Sequence, residues 1–513
     1  VHYEDGPGRV RSANVHSPSG ESDFATSLEA LSEELPNCGA GSLVVSWFGN
    51  DLRCGHCTIE PKVEQTAIDG SAPWVVSGVA RGAAATVPYQ DARPVYGGTP
   101  SDASVIAAIA DLKARGLEVA LYPFLLMDIP AGNGLPDPYG GTEQPAFPWR
   151  GRITLDAAPG QPGSLDQTAA AGSDVAAFFG TASASDFTIA NGSVTYTGPV
   201  EWGWRRFVLH MAALGAAAGG IEAICIGTEL RGLTTIRSAW ADFPPGQQLI
   251  ALAAEVRALL PGAKITYAAD WSEYFGYQPT DGTGDVLFHL DPLWANPNID
   301  LIGIDDYTPL SDWRYTSGHL DAEAGSIYHL PYLTSQVEGG EYYDYFYASE
   351  EDRTEQIRTP ITDGAHGEDW VFRAKDIRGW WENPHHNRVG GVREPNPTAW
   401  VPASKPVWLT ETGCPSVDLG ANTPNLFFDG KSSESALPTA SRGARDDEMQ
   451  RRFLQAKLGY WAEPANNPVS PVYDGPMIPD GGIFVWTWDA RPWPDFPVRE
   501  SLWADGPAHR VGH

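Results

Sequence analysis

Residues 223–230 read Ala-Ile-Cys-Ile-Gly-Thr-Glu-Leu, a short apolar run that ends in a single carboxylate. Residues 407–413 read Val-Trp-Leu-Thr-Glu-Thr-Gly and repeat that arrangement. Nearly continuous apolar runs of this length are typical of parallel strands buried on both faces. An ionised glutamate beside such a strand is costly unless it is paired or used. The two runs therefore predict a parallel sheet with Glu229 and Glu411 at the ends of two strands.

Helical patterns alternate with such runs along the chain. Apolar stripes at helical spacing, such as Leu249, Leu252, Val256 and Leu259, separate most of the runs, although no clear helix lies between the first two. The runs that predict strands are residues 43–48, 74–79, 117–124, 223–226, 264–269, 299–304, 407–410 and 482–488. Eight strands that alternate with helices close a TIM barrel. The predicted fold class is therefore α/β, a (β/α)8 TIM barrel.

Three long segments interrupt the alternation and are predicted to be insertions. They cover about residues 130–199, 308–404 and 412–447. Each follows a predicted strand, which places it on the C-terminal face of a barrel, where active sites of this fold are built. Neutral surface decoration is the alternative. Because barrels with insertions can exceed about 400 residues, we predict one domain over residues 1–513, with a core of roughly 23–496.

Charge and hydropathy exclude several classes of partner. The chain has 34 basic and 65 acidic residues, a net charge of −31, which repels phosphate backbones and anionic lipids. The most apolar stretch, residues 207–226, contains His210, three glycines and Glu222. It predicts a buried helix and strand rather than a membrane span, so neither nucleic acid nor a membrane is expected as a partner.

The chain starts at Val1 without a visible signal peptide, which indicates a processed chain or a segment of a longer one.

Cysteine and histidine usage gives little indication of a metal. Five cysteines are an odd number without the spacing of a disulfide framework. Cys54 and Cys57 form one C-x-x-C motif, and no second pair completes a four-ligand zinc site. A structural metal, a local disulfide and two ordinary thiols remain open for that pair. The only adjacent histidines, His385 and His386, fall in an insertion, so a metal-dependent hydrolase is disfavoured and no metal or cofactor is predicted.

Acidic and aromatic residues cluster at the predicted strand ends. Two carboxylates there can supply the acid and the nucleophile that glycosidic cleavage requires. Aromatic faces stack on sugar rings, while Asp and Tyr bond sugar hydroxyls. Among the 19 tryptophans, Trp370, Trp380 or Trp381 of the second insertion is expected near the sugar path. The predicted sugar-binding residues at strand ends are Asp270, Trp271, Asp305, Tyr307, Trp486 and Trp488.

Several stretches resemble known families. The strand ends at residues 227–230, 269–271, 303–307, 409–413 and 484–488 look like those of clan A glycoside hydrolases, which are retaining TIM-barrel enzymes, and in particular like those of certain β-mannanases. Most of the chain, roughly residues 23–496, more closely resembles the glycoside-hydrolase-like TIM-barrel domain of the large tail-tip protein of gene transfer agents and related phage tails. That second resemblance is carried by residues 42–57, 97–130 and 149–162.

The clan resemblance implies roles for individual residues. Glu229 corresponds to the acid/base and Glu411 to the nucleophile, and Tyr307 matches a tyrosine that supports the nucleophile. Trp486 or Trp488 matches the tryptophan that lines the first sugar subsite. A retaining pair of carboxyl groups lies about 5–5.5 Å apart, and we expect that separation here.

One position departs from the clan pattern. Many clan members carry Asn before the acid/base, where it contacts the sugar 2-hydroxyl, and this chain carries Thr228. The mannanase-like group shares that threonine. Thr228 is therefore predicted to bind substrate, with the sugar preference left open.

Two functions from different classes follow. The first is a retaining glycoside hydrolase that cleaves a cell-surface polysaccharide, such as capsule, lipopolysaccharide or peptidoglycan glycan. It would act within a phage-like tail tip, beside other tail proteins, assembled in the cytoplasm and released extracellularly. The alternative is an inactive carbohydrate-binding or structural tail module. The presence of both Glu229 and Glu411 favours the enzyme.

Overall fold

The computed structural model describes residues 1–4 and 6–512. These residues form two compact units. Unit 1 comprises Val1–Ala268, Asn296–Asp300 and Trp488–Ala504. Unit 2 comprises Ala269–Ala295, Leu301–Thr487 and Asp505–His513, apart from the last residue, which is outside the described range.

Unit 1 is built on a mainly parallel sheet. Its strands are β1 (Ala40–Gly49), β2 (Ile59–Glu60), β3 (Glu118–Met127), β4 (Ala223–Thr228) and β5 (Lys264–Asp270), whose last two residues belong to unit 2. They lie in the order β2-β1-β3-β4-β5. All neighbours are parallel except β2, which runs antiparallel to β1. The register between β4 and β5 shifts between Cys225 and Thr228, directly before Glu229.

Six labelled helices accompany these strands. They are α1 (Asp23–Glu34), α2 (Asp102–Ala114), α3 (Ala169–Phe179), α4 (Trp204–Ala217), α5 (Arg231–Thr234) and α6 (Pro244–Leu259), with a short helix Asp495–Val498 near the C-terminus. Capping fixes two of their starts, because Ser22 accepts from Ala25 N and Ser101 accepts from Ser104 N. Nearly all of α4 is buried, as predicted for the helix that precedes β4.

Unit 2 contains three parallel strands and mostly short helices. The strands are β6 (Ile302–Asp306), β7 (Val407–Thr412) and β8 (Ile483–Val485), in the order β6-β7-β8. The helices are α7 (Asp291–Trp294), α8 (Leu330–Ser335), α9 (Glu350–Glu355), α10 (Ile377–Glu382), α11 (Asp447–Ala462) and the short Gly506–His509. Between Ile304 and Asp305 the register of β6 on β7 shifts, and Asp305 comes to face Glu411.

One predicted strand is wrong. Within this run Val75–Val76 pairs with Val79–Ala80 in a small antiparallel hairpin, and residues 74–79 do not join the parallel sheet. Ser77 and Gly78 between them both have positive φ, +48° and +83°. Such a two-residue turn matches the twist of a hairpin, so the apolar run folds back on itself. The other seven predicted strands are present, with β6 starting later than predicted and β8 shorter.

Two further expectations concern cysteines and helices. All five cysteines are free thiols, and Cys54 and Cys57 are both buried, so the local disulfide is not formed. Within residues 1–4 and 6–512, no helix combines the length and apolar character needed to cross a membrane.

Candidate active site

Glu229 follows β4 directly and leaves the strand in an unusual conformation. Its φ is +46°, in the left-handed region that non-glycine residues seldom adopt. The backbone is held there by two bonds, since Glu229 N donates to Ala268 O at 2.8 Å and Leu230 N donates to Tyr267 Oη at 2.8 Å. The Glu229 side chain is buried. The register shift and the positive φ together end the regular strand immediately before Glu229.

Two residues outside the predicted set contact Glu229. Trp149 Nε1 donates to Glu229 Oε2 at 2.7 Å, and Arg150 Nη2 lies 2.8 Å from the same oxygen. Arg150 Nε also donates to Thr228 O and Oγ1 at 3.0 and 2.8 Å. The sequence offers one signal for them, because Trp-Arg falls in an insertion predicted to lie on the C-terminal face. Thr228 is fully buried, and its predicted contact with substrate stays a prediction.

The strand ends of unit 1 carry further buried acids. Asp128 directly follows β3 and pairs with Lys62, whose Nζ lies 2.6 Å from Asp128 Oδ2. Burial raises the pKa of Asp128 to about 6, against the opposing effect of Lys62. Asp51, shortly after β1, is also buried; burial alone would raise its pKa, but hydrogen bonds from Arg53 and Gln144 hold that pKa below its usual value. Acidic strand ends are thus a repeated feature of unit 1.

In unit 2, Glu411 lies within the end of β7 and has a tyrosine partner. Tyr307, the residue after β6, donates its hydroxyl to Glu411 Oε2 at 2.6 Å. Asp305 faces Glu411 in the register and accepts a bond from Thr410 Oγ1 at 2.7 Å. Asp305, Tyr307 and Glu411 are all buried. The structure therefore brings together three predicted residues, with Tyr307 bonded to the carboxylate as expected.

A buried ion pair lies beside this group. Lys457 of α11 contacts the Asp306 carboxylate and donates to Thr308 Oγ1 at 2.7 Å. Thr412 Oγ1 in turn donates to Asp306 O at 3.0 Å. Burial lowers the pKa of Lys457, and the neighbouring Asp306 opposes that shift. These contacts fix the end of β6 immediately before Tyr307.

The remaining predicted residues of unit 2 lie near the same strand ends. Trp271 N donates to Asp305 O at 3.1 Å, and the Trp271 ring packs against Tyr342 with centroids 5.0 Å apart. Asp270 Oδ1 accepts from Ser272 N at 2.9 Å. Trp486 N donates to Thr412 O at 2.9 Å. Backbone bonds thus link Trp271 to β6 and Trp486 to β7, and their contacts with a sugar stay predictions.

Other aromatic residues are placed differently. Trp488 belongs to unit 1, where its Nε1 donates to Ser27 Oγ of α1 at 2.9 Å. Trp370, Trp380 and Trp381 are all buried, and the expectation that one of them lies near the sugar path stays a prediction. Buried tryptophans pack in the core, and the number of aromatic residues in a sequence does not distinguish core tryptophans from tryptophans that stack on a sugar.

The adjacent histidines do not form a metal cluster. His385 is fully buried, with Nδ1 3.0 Å from Asp291 and Nε2 2.7 Å from Trp380 O. Its ring stacks on Phe288 with centroids 4.5 Å apart. His386 Nδ1 instead contacts Glu394 O at 2.9 Å. Both histidines are engaged in contacts of unit 2 itself.

The sequence model of a family described as the GTA TIM-barrel-like domain matches residues 202–497, more than half of the chain. The chain belongs to the GTA TIM-barrel-like domain family. This family match confirms the predicted fold class, an α/β TIM barrel. The matched range contains Glu229 and Glu411, together with α4 and strands β4 to β8.

Two solved structures of family 113 glycoside hydrolases are similar to the chain. One is the β-mannanase AaManA from Alicyclobacillus acidocaldarius in complex with ManMIm, at 14% identity and a TM-score of 0.40, covering 97% of this chain and 88% of that one. The other is a β-1,4-mannanase in a complex, at 14% identity and a TM-score of 0.38, covering 94% and 86%. No curated protein matches the sequence.

Proposed function

We propose that this chain is a retaining glycoside hydrolase with Glu229 as acid/base and Glu411 as nucleophile. One observation carries the proposal: each glutamate is a buried carboxylate at the end of a strand within the family match, and each accepts a hydrogen bond from a neighbouring side chain. In TIM barrels the carboxyl ends of the strands form the face on which catalysis occurs. Two carboxylates on that face suit glycosidic cleavage.

The proposed reaction proceeds in two displacements. Glu411 attacks the anomeric carbon while Glu229 gives its proton to the departing oxygen, so that a glycosyl-enzyme ester forms and the glycosidic bond breaks. Glu229 then takes a proton from water, which attacks the same carbon and releases Glu411. The Tyr307 hydroxyl, 2.6 Å from Glu411 Oε2, orients the nucleophile before attack.

The enzyme proposal is tested by turnover and stereochemistry. Purified protein is screened against aryl glycosides and surface polysaccharides, and the first-formed anomer is followed by NMR. We expect retention, the outcome of carboxyl groups about 5–5.5 Å apart. Glu411→Gln should remove hydrolysis of all substrates, and Glu229→Gln should remove hydrolysis of substrates whose leaving group needs protonation. Glu222→Gln should keep hydrolysis, because Glu222 lies before β4 and accepts from Val119 N.

Three outcomes decide between the functions. An inverted product would contradict the nucleophile assigned to Glu411. Activity that survives both glutamine variants would reject this catalytic pair. Glycan binding without turnover, or neither, would replace the enzyme with a binding or structural tail module.

The proposed setting is the tail tip of a phage-like particle, where the chain would act beside other tail proteins on capsule, lipopolysaccharide or peptidoglycan glycan. The family description and the resemblance to tail-tip domains support this. The net charge of −31 favours neutral glycans over polyanionic ones.

Particles with Glu229→Gln and Glu411→Gln should assemble normally but transduce less into recipients with an intact glycan layer. Full transduction into every recipient would reject a glycosidase role.

A further inference from the structure

Trp149 and Arg150 converge on a single oxygen of Glu229. The indole Nε1 is 2.7 Å and the guanidinium Nη2 is 2.8 Å from Glu229 Oε2. An indole N–H and a guanidinium can only donate hydrogen bonds. Oε2 must therefore accept from both, and a proton on that oxygen would oppose two donors at once.

Arg150 is itself fixed on three sides. Its Nε donates to the backbone and hydroxyl oxygens of Thr228, and its guanidinium lies 3.8 Å from the centroid of the Phe124 ring on β3. The side chain is 5% exposed. The planar fork of arginine thus spans two successive residues, Thr228 and Glu229. A lysine ammonium cannot reproduce this arrangement, because it is a compact charge without a planar fork.

Trp149 is held by close packing of the loop around it. A Cβ atom on Gly151 would lie 2.4 Å from three ring carbons of Trp149, so the indole covers a position that only glycine can occupy. A Cβ on Gly232 of α5 would lie 2.7 Å from Gly151 O. Glycines on both sides therefore allow the loop to approach α5 and keep the indole aimed at Glu229.

We infer that Trp149 and Arg150 are positioning residues for the acid/base, which fix Oε2 as an acceptor and leave Oε1 to carry and exchange the catalytic proton. This inference rests on the proposed function. With Oε2 held, the carboxyl plane is set by the protein before substrate binds. Proton transfer then requires no search for the correct oxygen or rotamer.

Leaving-group dependence tests this role. A phenyl glycoside needs protonation of its departing oxygen, whereas a 2,4-dinitrophenyl glycoside departs with little assistance. Since general acid catalysis contributes about 10²- to 10⁴-fold, we expect Trp149→Phe to lower kcat/KM for the phenyl glycoside about tenfold. Arg150→Lys should lower it about 100-fold, and both variants should keep the dinitrophenyl value within about threefold of wild type.

Matched controls separate positioning from stability. Trp74→Phe removes another indole donor of unit 1, which bonds Thr99 O at 2.7 Å. Arg206→Lys replaces another buried arginine that lies 3.6 Å from an aromatic ring centroid, that of Trp202. Both controls should show the same change, if any, with the two leaving groups. Urea unfolding midpoints of all four variants verify that each protein is folded during the assay.

The outcomes distinguish this inference from the proposed function. Wild-type protein that cleaves neither substrate across a panel of sugars rejects both. If the wild type is active and Glu229→Gln is selective for the dinitrophenyl substrate, the function stands. The inference is then overturned if Trp149→Phe and Arg150→Lys slow the two substrates equally or not at all.

Discussion

The buried pair of Lys457 and Asp306 offers a direct test of how unit 2 is stabilised. Both residues are 1% exposed, and the ammonium also donates to Thr308 Oγ1 at 2.7 Å. Asp306→Asn keeps the shape but leaves a buried ammonium without its counter-charge. The charge of Lys457 also lowers the pKa of Lys375, so the two ammonium groups repel each other. Removal of one partner from a buried ion pair costs about 3–5 kcal/mol, and we expect a loss of free energy of unfolding in that range.

A double-mutant cycle provides the measurement. Lys457→Met leaves the Asp306 carboxylate with bonds from Thr308 N at 3.1 Å and Thr308 Oγ1 at 2.6 Å, so it should cost less than Asp306→Asn. The double variant contains no unpaired charge and should recover much of the loss, because apolar or neutral replacements of buried pairs are often tolerated. Urea unfolding followed by tryptophan fluorescence gives the three differences. Additive effects, or a cost below about 1 kcal/mol for Asp306→Asn, would refute the reasoning.

Three further predictions concern other buried contacts. Tyr307→Phe removes the bond to Glu411 and should lower kcat about 10- to 100-fold with little change in the unfolding midpoint, and an unchanged kcat would reject the orienting role. Gly151→Ala should displace the Trp149 indole and reproduce the selective loss on phenyl glycosides, which wild-type selectivity would contradict. Burial, with neighbouring charge, lowers the pKa of Lys375 to about 7. Between about pH 7 and 10 the unfolded chain therefore binds more protons than the folded chain, and the free energy of unfolding should rise with pH. Lys375→Met should flatten this dependence of the free energy of unfolding on pH.

Apolar runs predicted most of the strands because strands buried on both faces leave a continuous hydrophobic signal. The same signal failed at residues 74–79, where a turn at Ser77 reverses the chain. It could not predict β2, since Ile59–Glu60 is too short to show a period. The buried helix α4 followed from a local apolar pattern, whereas the pairing order of the strands depends on contacts between distant segments.

The site was predictable where chemistry coincides with a strand end. Glu229 and Glu411 became candidates because a carboxylate follows an apolar run, and Asp128 satisfies the same rule after β3. Trp149 and Arg150 were not found, because loop residues carry no periodicity that indicates where they fold. Their role depends on close packing against α5, which sequence spacing does not encode.

Thiol burial has a practical consequence for handling the protein. Burial raises the pKa of Cys54 and Cys414, and raises that of Cys57 to about 12, so their thiolate forms are scarce near neutral pH and alkylating reagents react with them slowly. Cys38 alone among the five cysteines is half-buried, and it lies just before the amino end of β1. Glu229 follows the carboxyl end of β4, and β1, β3 and β4 run parallel. A maleimide dye or surface tether therefore attaches at one natural position, at the opposite end of the unit 1 sheet from Glu229, without any engineered cysteine.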